Sequence, residues 1–178
     1  MAITSLAVFC GSKSGNNPLF EEQAIALGHL LASKKIILIY GGGNKGIMGA
    51  VSNAVLEKGG KVVGIIPEIL KTREHHHEGI TELIIVENMH TRKKMIYEKC
   101  DAAIILPGGY GTMDEFFEML TWNQLSIHDK KIFILNTAGF YDHLFAFAQT
   151  MQDENFLYDK IEDKLVVLNS PGELAKYL

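Results

Sequence analysis

Cysteine is scarce in this sequence: Cys10 and Cys100 stand far apart and form no CxxC pair. That leaves no disulfide framework and fits reduced thiols in a cytoplasmic protein. Long apolar runs are missing too. No stretch reaches roughly 18 residues, so no transmembrane helix is expected. The opening segment MAITSLAVF lacks a basic n-region and a long apolar core, so it does not read as a signal peptide. Positive charge is not in excess. A formal net charge of -4 argues against a broad electrostatic grip on DNA or RNA, while leaving room for a small local anion site. Internal repeats, low-complexity tracts and linkers are absent, and 178 residues suit one domain spanning residues 1–178.

What is present is alternation. Short apolar runs occupy Ile3–Phe9, Ile36–Tyr40, Val62–Ile66, Leu83–Val86, Ala102–Leu106, Ile132–Leu135 and Leu165–Leu168. Most are continuously apolar, which suits strands buried on both faces. Helical patterns fill the gaps: Leu19–Lys34, Ile47–Lys58, Thr91–Lys99, Thr112–Leu125, Asp142–Gln152 and Glu173–Leu178. The pattern predicts an α/β, Rossmann-like fold, an open and mostly parallel sheet with helices on both faces. Pro67 to Gly79 reads as the longest irregular piece, with room for a helical turn.

Three of the strands end in glycine-rich turns: Cys10–Gly15, Gly41–Gly46 and Pro107–Thr112. Ligands of open α/β sheets bind beyond the carboxyl ends of the strands. Glycine there lets backbone N–H groups approach an anion, and the next helix adds its positive end. Each turn alone reads equally as a tight strand-to-helix connection; three together favour a phosphate. Gly41-x-Gly43-x-x-Gly46, with Glu68 about 20 residues on, resembles a dinucleotide fingerprint. That reading leaves the third turn unexplained. A Walker A loop is excluded, because Ile47 follows Gly46.

The third turn runs into acids. Thr112 and Glu115 have capping-box spacing, in which Glu115 merely starts a helix. The competing reading puts Glu115 beside a bound phosphoribosyl group, with Asp114 and Glu118 nearby. Such acids need a cation, and Arg92, Lys93 and Lys94 are the candidates. Arginine suits a fixed two-pronged contact; a solvated basic patch is the plain reading of the lysines. Met89, His90 and Met95 either line a base pocket or simply pack, and Trp122 reads as core or interface. The run His75-His76-His77 lacks a second ligand cluster, so no metal is expected there.

Residues VFCGSKSGNN, YGGGNKGIMGAV, GGKVVGIIP, MHTRKK, PGGYGTMDE and TWNQLSIHDK, in this order, carry a resemblance to the LONELY GUY family. These phosphoribohydrolases act on cytokinin riboside 5'-monophosphates and often bear the label "lysine decarboxylase". The resemblance covers residues 6–155. It implies a Rossmann-like homodimer that cleaves the N-glycosidic bond of adenosine 5'-monophosphate or an N6-substituted ribotide. It implies Arg92 and Glu115 as the catalytic pair and a phosphate turn of Gly108, Gly109, Gly111 and Thr112. Gly11, Ser12, Gly42, Gly43, Met89 and Lys93 complete the expected substrate-binding set. No cofactor is implied, and no pyridoxal lysine stands out. The rival on the same fold is a non-catalytic nucleotide or molybdenum-cofactor binding protein.

Overall fold

A computed structural model describes residues 3–71 and 76–178. Seven parallel strands form one sheet in the order β4-β3-β2-β1-β5-β6-β7. They are β1 (Ser5–Phe9), β2 (Ile37–Tyr40), β3 (Val62–Pro67), β4 (Glu82–Val86), β5 (Ala102–Ile105), β6 (Ile132–Leu135) and β7 (Leu165–Leu168). The helices are α1 (Leu19–Ser33), α2 (Gly46–Glu57), α3 (Glu68–Lys71), α4 (Met89–Lys99), α5 (Tyr110–Gln124), α6 (Asp142–Asp153), α7 (Ile161–Lys164) and α8 (Pro171–Leu174).

The continuous apolar runs are explained by two cores. Along β1, Leu6, Val8 and Cys10 face the core built with α1 and α2, while Ala7 and Phe9 face the one built with α4 and α5. All four residues of β5 are buried for the same reason. On the second face, α4 contributes Ile96 and Tyr97, and α5 contributes Phe116 and Met119. Deleting a large buried side chain such as Phe116 costs about 3–5 kcal/mol in such packing.

All seven expected strands form, with ends shifted by a residue or two. The helices differ more. The segment after Pro67 begins with the one-turn helix α3. Helix α4 starts two residues before Thr91, because Asn88 caps it: its Oδ1 accepts the Thr91 N–H at 2.9 Å. Helix α7 was not expected; four residues are too few for a helical period to show. At the chain end, Pro171 opens α8 and helix stops at Leu174. Among the described residues no helix is long and apolar enough to cross a membrane.

Strand order reverses at β1, which lies between β2 and β5. In open sheets this switch point is where ligands enter, because successive crossovers diverge there and leave a crevice.

Candidate active site

The first and third glycine-rich turns meet at that crevice. The Gly11 N–H donates to the Pro107 carbonyl at 3.0 Å, and the Leu106 N–H to the Phe9 carbonyl at 2.9 Å. A cleft of about 270 Å³ opens above them. Gly11, Ser12, Met89, Arg92, Gly109, Gly111, Thr112 and Glu115 all line it.

Arg92 and Glu115 come together on its floor. Arg92 sits in the first turn of α4, and Glu115 in the second turn of α5. Arg92 is 7% exposed and Glu115 8%. Arg92 Nη2 lies 3.8 Å from Glu115 Oε1, too long for a direct hydrogen bond but a close charge pair. The guanidinium rests on Gly41, where a Cβ would overlap Nη2. Its Nη1 lies 3.7 Å from Met89 Sδ, and its buried Nε has no hydrogen-bond partner among the described residues. Burying a charge pair costs several kcal/mol per ion, so this one is poor value as a structural strut. Such placement points to a functional site.

Cys10 lies in the same cleft. Burial, then the Glu115 charge, push its thiol well above the usual range, against the opposing pull of Arg92. Burial of this kind favours the neutral thiol.

The capping box does not form. Helix α5 begins at Tyr110 with Gly109 as its cap residue, so Thr112 is already inside the first turn. Thr112 is buried, and its hydroxyl packs against Gly108 so closely that a Cβ there would overlap it. Above Gly109 and Gly111, by contrast, nothing among the described residues beyond the adjoining backbone lies within 4 Å of where a Cβ would stand. Open backbone at the start of a long helix is the geometry that receives an anion.

Other expected residues stand elsewhere. Gly42 accepts the His77 N–H at 2.9 Å, and Gly43 bridges to His76, so neither lines the cleft. Lys93 reaches Asp114 at 3.1 Å and Glu118 at 2.8 Å. Burial disfavours its charge, but these two carboxylates outweigh that and raise its pKa. Lys94 pairs with Glu98 on the surface. Trp122 packs on Tyr97 with ring centroids 4.5 Å apart. His77 Nε2 meets Asn53 Oδ1 at 2.9 Å, and His76 Nδ1 meets the Lys71 carbonyl at 3.2 Å; His75 lies outside the described residues. Among the described residues no cluster of three or more His, Cys, Asp or Glu could hold a metal.

Leu70 and Tyr110 are among the cleft residues that were not expected there. Leu70 arrives through α3, and Tyr110, 98% exposed, stands at the mouth. Tyr110 lies between two expected glycines, and that position was the one available hint.

The family described as "possible lysine decarboxylase" matches residues 48–178. Cytokinin riboside 5'-monophosphate phosphoribohydrolase LOG2 of Arabidopsis thaliana is 47% identical, across 97% of this chain and 81% of its own length. LOG1 of the same plant is 43% identical over the same shares. Among solved structures, the molybdenum cofactor carrier protein of Chlamydomonas reinhardtii superposes with a TM-score of 0.71 at 19% identity, covering 97% of this chain and 94% of its own. The molybdenum cofactor binding protein of Rippkaea orientalis gives 0.71 at 20% identity, covering 99% and 95%. Likeness at that level concerns the fold alone. Matched along 97% of its length by the phosphoribohydrolases, this chain belongs to the LONELY GUY family, the one described as possible lysine decarboxylase.

Proposed function

We propose that the protein hydrolyses the N-glycosidic bond of adenosine 5'-monophosphate or an N6-substituted ribotide, giving free base and ribose 5-phosphate. The observation that carries this is the buried Arg92–Glu115 pair on the floor of a cleft rimmed by open backbone at Gly109 and Gly111. N–H groups at the start of α5 take the 5'-phosphate and fix the ribose over the floor. As the base departs, positive charge builds on the sugar. A preorganised carboxylate at Glu115 stabilises it, a contribution of several kcal/mol. Arg92 keeps Glu115 aligned. Water supplies the hydroxyl to the anomeric carbon and the proton to the base nitrogen.

The curated relatives' names, at 43–47% identity, support this reading over a carrier's. The carriers share the fold at 19–20% identity. A carrier of an anion also has little use for a buried carboxylate beneath the anion's seat. The same reading includes a cytoplasmic homodimer; exposed Phe117, Leu125 and Ile127, along and just after α5, offer an apolar face for it. Light scattering checks the dimer.

The test is incubation with AMP and with N6-isopentenyl-AMP, followed by chromatography for the free base. Wild-type protein releases base, and adenosine without the phosphate reacts poorly. Glu115→Gln loses on the order of 10²–10³ in rate while keeping its far-ultraviolet spectrum. Full activity in that variant overturns the proposal.

A further inference from the structure

Lys93 joins the two helices that carry the reacting pair. Its Nζ lies 3.1 Å from Asp114 Oδ2 and 2.8 Å from Glu118 Oε2, and its side chain is only 12% exposed. Asp114 directly precedes Glu115, and Arg92 directly precedes Lys93. Tyr97, one turn further along α4, donates to the same Glu118 Oε2 at 3.0 Å. The junction thus sits one residue from each member of the pair.

We propose that Lys93 is a positioning residue: it holds α4 against α5 at the separation that sets the Arg92–Glu115 geometry. It also answers the charges of Asp114 and Glu118, which otherwise compete with Glu115 for Arg92. These two acids lie four residues apart on one helix and repel each other without a cation between them. With its ammonium committed to two carboxylates and outside the cleft lining, Lys93 is not the phosphate's counter-charge. This rests on the proposed hydrolysis for its kinetic readout, and on the structure alone for the other.

Lys93→Met removes the cation that Asp114 and Glu118 share, next to Arg92 in the chain. A crystal structure of this variant shows Arg92 Nη2 drawn from Glu115 towards Asp114 or Glu118. An unmoved guanidinium overturns the inference whether or not the wild type is an enzyme. With AMP, kcat falls about 10²-fold while KM stays within about threefold, the mark of lost alignment. Lys93→Arg, which also spans two carboxylates, recovers activity to within about tenfold of wild type. Should Lys93→Met fail to fold, Glu118→Gln reads the same junction: it weakens the Lys93 and Tyr97 contacts together and lowers kcat about tenfold. Unchanged kcat, or a KM that rises for AMP alone, makes Lys93 a substrate contact or a bystander and overturns the inference. If the wild type releases no base, the proposed reaction fails and the Arg92 displacement still decides this point.

Discussion

The glycine-rich turns after β2 and β5 look alike in sequence and are used in opposite ways. The β2 turn is filled by protein. Gly41 seats the Arg92 guanidinium, Gly42 and Gly43 hold residues 76 and 77, and Gly46 lies against the backbone of Ser12 and Lys13. The β5 turn is filled on one side only. Gly108 packs on Thr112 and Gly11, while Gly109 and Gly111 meet nothing close among the described residues. A glycine says that something comes close; packing says whether that thing is protein or ligand. Gly41, Gly42 and Gly46 of the dinucleotide fingerprint are therefore glycines because protein packs against them.

The largest effect expected from this contrast is on stability, at Gly46. Its φ of +57° disfavours any side chain, and a Cβ would stand 2.5 Å from backbone atoms of Ser12 and Lys13. Gly46→Ala adds the left-handed cost of about 1–2 kcal/mol to an overpacking cost of about 1–3. Chemical denaturation reads a loss of about 2–5 kcal/mol. A stable Gly46→Ala breaks the claim that this turn is packed shut.

Gly41→Ala comes next and strikes chemistry more than fold. The new methyl displaces the Arg92 guanidinium from its seat, and misplacement of about 1 Å costs on the order of 10² in rate. Base release from AMP falls by that order, with a stability loss of about 1–3 kcal/mol. Undiminished release shows that Arg92 does not need its seat on Gly41.

Most strands were legible as continuous apolar runs; in β5 and β6 burial on both faces leaves no polar alternation, while the edge strands β4 and β7 keep exposed positions such as Ile85 and Val167. Helix starts were less so. The start of α4 at Asn88 and of α5 at Gly109 depends on caps that compete with equally plausible ones two or three residues later, such as Thr112. Arg92 and Glu115 were legible as chemistry, since residue type and surrounding motif single them out. Their support was not. The seat at Gly41 and the Lys93 junction join residues distant in sequence, and only the folded sheet brings them together.

Gly111→Ala tests the open turn and carries a smaller effect. It lies within α5, where alanine gains up to about 1 kcal/mol of helix stability over glycine, and nothing among the described residues opposes the new Cβ. Melting temperature holds or rises slightly. The methyl nevertheless intrudes where the phosphate is proposed to sit, so KM for AMP rises about tenfold while adenosine turnover is unchanged. If neither moves, the open backbone is not the anion's seat and the contrast between the turns loses its meaning for function.

The smallest effect belongs to His77, which closes the β2 turn from outside. Its ring is buried, donates from Nε2 to Asn53 Oδ1 at 2.9 Å and accepts the Gly79 N–H on Nδ1 at 3.1 Å. The bond accepted on Nδ1 needs the neutral ring, and burial lowers its pKa below the ordinary 6.5. The unfolded chain takes up a proton first as pH falls. This contribution to stability is therefore complete above pH 6.5 and is lost below it, until the folded protein also protonates. Melting temperature measured from about pH 7.5 down to about pH 5.5 falls more in the wild type than in His77→Gln, which keeps an amide donor for Asn53 and cannot titrate. Equal falls mean that the ring charges freely where it stands, and that residues 76 and 77 fasten this turn through the backbone bonds to Gly42 and Gly43 alone.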